Sequence, residues 1–148
     1  MNMKKILFLL LCIFFFSLAN AQSSAKTSLY KGTVDGKTPV TFYIKTEENP
    51  CTADLMYTAI YRYDKSGSWI QLDITQNKKS ENKFVLVEHG FTGVMILKKE
   101  SNTFSGLWIS PDTKKQLKID VKEVLMTKKE IENYEKKMEK INYENNDC

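Results

Sequence analysis

The sequence predicts a mainly β, antiparallel domain: an eight-stranded meander, closed or nearly closed into a small barrel, with one C-terminal α-helix. Three observations carry this expectation. Apolar and polar residues alternate with period two through most of residues 29–124, as strands with one buried face do. Turn-forming residues interrupt the alternation at near-regular intervals. Beyond Thr127 the apolar period changes to three or four residues, that of a helix.

Taken in order, residues 29–34 read as a strand ended by Asp35-Gly36, a dipeptide suited to a tight hairpin turn. Val40, Phe42 and Ile44 then alternate with Thr41, Tyr43 and Lys45 in a half-buried strand, and residues 47–52, with Pro50, form a loop. Residues 55–63 make the longest strand, with Tyr57, Tyr61 and Tyr63 on one face and Met56, Ile60 and Arg62 on the other. Residues 64–67 turn the chain into a strand over 69–75, whose Ile70, Leu72 and Ile74 point inward. Residues 76–82 are a polar loop. Strands over 83–88 and 94–99 are joined around residues 89–93, a strand over 103–110 follows, and Leu117, Ile119 and Val121 mark the last. Sequential hairpins of this kind form either a closed barrel or an open or sandwiched sheet, and periodicity leaves both open.

The helix begins at a capping box, Thr127 with Glu130, flanked by Met126 and Ile131 in staple positions. Ile131, Tyr134, Met138 and Ile141 form a narrow apolar stripe, suited to packing on the sheet or, alternatively, on a partner helix. The domain organisation is therefore a signal peptide over 1–21, a flexible segment over 22–28, the β domain over 29–125, the helix over 127–143 and a tail over 144–148.

The signal peptide rests on Lys4 and Lys5, the apolar run 6–16 and the small residues of Ala19-Asn20-Ala21. That run is too short for a membrane-spanning helix, which needs about 20 apolar residues. Cleavage removes Lys4 and Lys5 and lowers the net charge from +4 to +2. The expected location is the periplasm or the exterior of a bacterial cell, with no membrane span after cleavage. In that oxidising setting Cys51 and Cys148 are expected to pair, although a terminal cysteine also has the freedom to stay reduced or to join another molecule.

A near-balanced charge argues against nucleic-acid binding. One histidine and three cysteines without finger spacing argue against a zinc site, and no metal or cofactor is expected. Catalytic signatures are missing from the sequence. His89 follows Glu88 directly, and strand neighbours point to opposite faces, so the pair forms no dyad unless the strand has already ended there. The sequence leans away from an enzyme without excluding one; the test is whether Glu88, His89 or Asp73 meets another titratable group in a cleft. Aromatic residues are more informative, because Trp and Tyr anchor protein interfaces. Tyr57 and Trp108 are assigned to the core, whereas Trp69, in the phase opposite Ile70, is left open between core and surface.

Tyr30-Lys31-Gly32-Thr33, Gly106-Leu107-Trp108 and residues 111–115 resemble phrases repeated in a loose group of small exported β-meander proteins. Eight strands followed by a helix are also similar to the lipocalin architecture, which implies a small apolar ligand. The lipocalin G-x-W, however, belongs on the first strand, and Gly106-Leu107-Trp108 lies on the seventh. Ser66-Gly67-Ser68-Trp69-Ile70 resembles the S-G-x-x-Y loop of periplasmic lysozyme inhibitors, with the aromatic residue one place early. Toxin-immunity proteins share the size and the export. The leading expectation is thus an exported binding protein that engages another protein in the cell envelope, as an inhibitor or immunity factor, through Tyr63, Ser66, Ser68, Trp69, His89 and Phe91. The alternative is a lipocalin-like binder of a small apolar ligand in the barrel interior, for which an apolar cavity is the discriminating observation.

Overall fold

The computed structural model describes residues 25–146. The signal peptide expected over 1–21 and Cys148, with the disulfide expected of it, lie outside the described residues. Eight antiparallel strands follow one another as β1 (Lys26–Val34), β2 (Thr38–Glu48), β3 (Leu55–Tyr63), β4 (Ile70–Gln76), β5 (Lys83–Glu88), β6 (Val94–Glu100), β7 (Thr103–Ile109) and β8 (Gln116–Val124). Each pairs with the next, and β1 pairs with β8 from Leu29↔Val124 to Val34↔Ile119, so the meander is a closed barrel. Helix α1 (Lys128–Asn146) follows.

Three boundaries differ from the sequence expectation, one of them at the helix, which runs to Asn146 and takes in residues 144–146 of the expected tail; the other two are in strands. Lys26, Thr27 and Ser28 belong to β1 and pair with Thr46, Lys45 and Ile44, so this part of the segment expected to be flexible is strand. Glu47 and Glu48, expected in a loop, pair with Met56 and Leu55. At both strand boundaries the backbone ladder continues beyond the last apolar residue, because a strand already registered against its neighbour adds hydrogen bonds whatever its side chains. The first hairpin turn is as expected: Asp35 and Gly36 have φ of 55° and 67°, the positive values that a type I′ turn demands at both centres.

Alternation sends one side of every strand inward. Tyr30, Phe42, Tyr61, Leu72, Leu86, Met95, Leu97, Phe104, Ile119 and Val121 form the interior core, and the Tyr57–Tyr61–Tyr63 face points into it. An eight-stranded barrel is just wide enough for side chains to fill. Glycine supplies the closest approaches. A Cβ on Gly32 would lie 2.0 Å from the Asp120 carbonyl oxygen across the closing seam, and one on Gly106 would lie 2.0 Å from that of Ile96. No side chain fits at either site, so glycine is what lets the neighbouring backbone come so close.

A second, smaller core lies outside the barrel. Leu29, Tyr43 and Ile60, on the outward phases of β1, β2 and β3, are buried under Met138 of α1, with Trp69, Tyr134 and Ile141 packed around them. The helical stripe therefore covers the sheet, as the first of its two readings has it. Thr127 and Glu130 form the capping box, with Thr127 N–H donating to Glu130 Oε2 at 2.8 Å and Glu130 N–H donating to Thr127 Oγ1 at 3.3 Å. On the far side, Val85, Ile96 and Leu107 oppose one another across β5, β6 and β7 and remain exposed.

Gly106→Ala is expected to destabilise the protein by about 2–3 kcal/mol, the scale of overpacking, because the clash is with backbone. Urea unfolding followed by far-UV circular dichroism measures it, and an unchanged midpoint would contradict the close approach.

Candidate functional site

The two ends of the barrel differ. At one end lie the β1–β2, β3–β4, β5–β6 and β7–β8 connections, and here the interior is plugged. Glu88, the last residue of β5, points inward and is 4% exposed. Its carboxylate accepts from Tyr61 Oη, from Trp108 Nε1 at 2.6 Å and from Thr92 Oγ1 at 2.6 Å. These donors come from β3, β7 and the β5–β6 loop, so one carboxylate ties three parts of the chain together. Gly93 makes the arrangement possible, since a Cβ there would lie 2.3 Å from Trp108 Nε1. Burial, reinforced by the hydrogen bond to Glu88, holds the Tyr61 phenol well above its ordinary pKa. Burying a carboxylate is tolerable only with such partners.

The opposite end is open. Between the start of β1, the β4–β5 loop and the β6–β7 turn the interior widens into a cavity of about 310 Å³. Its walls are Tyr30, Ile44, Ile74, Phe84, Leu86 and Phe104. Rings line it continuously: Tyr30 meets Phe104 edge-on at 4.9 Å, Phe104 meets Phe84 at 5.3 Å and Phe84 meets Tyr57 at 5.7 Å. Polar groups gather at the rim, where Tyr57 Oη donates to Gln76 Oε1 at 2.9 Å and Ser28 Oγ donates to Glu123 Oε1 at 2.7 Å. Burial first, and Glu123 second, push the Tyr30 phenol up to about 12, so it stays protonated at neutral pH. Lys26 and Lys99 complete the rim, together with Glu81.

The residues expected to bind a partner all lie at the plugged end, but they do not form one surface. Ser66, Ser68, His89 and Phe91 are exposed, and Phe91 is 57% exposed at a φ of 56°. Tyr63 packs against the interior core and meets Tyr61 at 5.6 Å. Trp69 precedes β4 rather than opening it, and turns onto the outside of the barrel under α1. There it meets Tyr134 edge-on at 5.7 Å, with the Arg62 guanidinium at 4.9 Å and the Lys137 ammonium at 5.5 Å from its ring. An outward phase is thus an exposed phase only where no second layer covers it.

Trp108 is half-buried and packed on the interior core, in line with its assignment there. Cys51 is exposed in the β2–β3 connection and has no disulfide partner among the described residues. Glu88 meets hydroxyl and indole donors, His89 points to solvent and Asp73 lies exposed on the outer face, so these three do not converge in a cleft. Among the described residues no helix is long and apolar enough to cross a membrane.

Sequence reasoning missed the two features that matter most here, the interior carboxylate and the open mouth. Glu88 carried a signal: it continues the inward phase of Phe84 and Leu86, where a charged residue breaks the pattern. The chain defines a small, closed up-and-down barrel plugged at one end and hollow at the other. No family model matches it, and no curated protein or solved structure is significantly similar to it.

Two expectations follow from this geometry. Trp69→Ala is expected to lower stability by about 2–3 kcal/mol, below the range for a fully buried Trp because the ring is half-buried; a thermal midpoint equal to the wild type would free Trp69 from the helix packing. Burial raises the folded-state pKa of Tyr30, Tyr43 and Tyr61. A raised pKa means stability that is complete below the unfolded-state value of 10.0 and declines as pH rises toward the folded value, about 12 for Tyr30. Unfolding is therefore expected to accompany phenolate formation above pH 10.0, visible as a steep, cooperative rise in phenolate absorbance; gradual ionisation with unchanged circular dichroism would contradict it.

Proposed function

We propose that the mature chain is an exported binding protein that holds a small, mainly apolar molecule in the open end of its barrel. The observation that carries this reading is the cavity of about 310 Å³. That volume is at the lower end of ordinary ligand sites, which are mostly apolar, largely preformed and equipped with a few placed polar groups. The aromatic walls and the polar rim match that description, and the mouth of a β-barrel is a recurrent place for such sites. The export signal read from residues 1–21 supports a location in the periplasm or outside the cell.

A protein-binding role, as inhibitor or immunity factor, is supported by one observation, the exposed Phe91 beside His89 in the β5–β6 loop. It is the weaker reading, because Trp69, which would have been its main anchor, is packed under α1.

Fluorescence titration with N-phenyl-1-naphthylamine, an uncharged apolar dye that brightens in dry cavities, tests the proposal. Saturable enhancement at one site is expected, and Ile74→Trp, which fills the cavity from its own wall, is expected to abolish it while leaving the thermal midpoint nearly unchanged. No saturable enhancement by the wild type, or full retention by the filled variant, would reject the barrel mouth as a binding site.

A further inference from the structure

The same cavity carries information about its ligand. Inward positions of a small barrel are normally apolar, and charge at such a position is either structural or functional. Glu88 is the structural kind, with its three donors. Lys26 and Lys99 are different. Lys26 continues the phase of Ser28 and Tyr30 on β1, and Lys99 continues that of Met95 and Leu97 on β6, so both follow the interior face out to the rim.

Position on the interior phase, rather than lack of an ion pair alone, sets them apart: among the described residues some outer-surface lysines are paired and others, such as Lys83 and Lys122, are not. On the outward phases, Lys45 pairs with Glu47 at 2.9 Å, Lys98 with Glu100 at 2.5 Å and Lys118 with Asp120 at 2.8 Å. Neither Lys26 nor Lys99 has an ion-pair partner among the described residues. Lys99 Nζ instead lies 5.6 Å from the centre of the Phe104 ring, one of the cavity walls. Of the nearby carboxylates, Glu123 already accepts from Ser28 at 2.7 Å. Glu81 stands exposed on the β4–β5 loop, so two carboxylates and two ammonium groups share the rim, and the Glu123 carboxylate is turned toward Ser28 and Tyr30. Below the rim come only apolar and aromatic walls and the protonated Tyr30 phenol.

Resting on the reading of the mouth as a ligand site, we infer that the ligand is an amphiphile with one anionic head: its apolar body lies against Phe84, Phe104 and Tyr30, and its head stays at the rim within reach of Lys26 and Lys99. A long lysine side chain suits this arrangement, since its methylenes cover apolar wall while its ammonium stays near water. The head is thereby held where it is only partly desolvated, which limits the cost of bringing a charge to the protein. An amphiphile of opposite sign would place its charge beside two unpaired ammonium groups.

Calorimetric titration of the mature chain at neutral pH with three probes built on a ten-carbon chain, decanoate, 1-decanol and decyltrimethylammonium, tests the inference. Decanoate is expected to bind about tenfold or more tightly than 1-decanol, the scale of one hydrogen bond to a charged group. In the double variant Lys26→Met, Lys99→Met, decanoate is expected to fall to the affinity of the alcohol while the alcohol itself binds as before. Equal binding of decanoate and alcohol, preference for the ammonium probe, or a carboxylate preference that survives the double variant would overturn the inference and leave the cavity as an apolar site. Failure of all three probes to bind would overturn the ligand-site reading with it.

Discussion

Closure of the barrel is the constraint on which the rest of the structure depends. An open eight-stranded meander would leave β1 and β8 with rows of unpaired backbone donors and acceptors, a template for aggregation. Pairing Leu29–Val34 with Ile119–Val124 removes both edges at once. It also fixes the circumference, and with it an interior that side chains nearly fill. Gly32, at the seam, is the residue whose lack of a side chain lets the two strands meet. The Tyr30-Lys31-Gly32 phrase thus has a physical reason: an aromatic ring for the interior and, two positions on, a gap for the neighbouring backbone.

Within that fixed interior the two ends are filled differently. At one end the inward phases supply Tyr61, Tyr63, Glu88 and Trp108, large groups joined by hydrogen bonds into a plug. The Gly106-Leu107-Trp108 phrase contributes both a close approach to β6 and the indole that reaches Glu88. At the other end the same phases supply Ser28, Thr46 and the flexible chains of Lys26 and Lys99, which leave space. A buried carboxylate ties β3, β5 and β7 together at the plugged end and so helps to hold the barrel around the hollow end in one shape. Ligand sites gain from such preorganisation, because less freedom is lost on binding.

The helix decides the character of the outer surface. Crossing β1 to β4, it buries Leu29, Tyr43 and Ile60, and its Glu135 accepts from Tyr43 Oη at 2.5 Å. Gln71 on β4 accepts from Asn145 at 2.9 Å near the end of the helix. This second layer converts outward residues into core and encloses Trp69. The uncovered outer face, with Val85, Ile96 and Leu107, shows what β1 to β4 would resemble without it.

The sequence by itself determined the strand order, the inward and outward phases, the hairpin at Asp35-Gly36 and the capped helix with its stripe. These depend on local chemistry: alternation, turn residues with positive φ, and side chains three or four residues apart. What it left open were contacts between residues far apart in the chain. Whether the meander closes depends on β1 meeting β8, and neither strand's own pattern specifies its second neighbour. Trp69 was ambiguous because its surroundings include Tyr134 and Lys137, from a helix some 70 residues away in the sequence. Glu88 looked like a strand-end carboxylate until Trp108 and Tyr61 were brought to it. The cavity is the most tertiary feature of all, since an empty volume has no residue of its own and exists only where eight strands, each filling its share, leave one end unfilled.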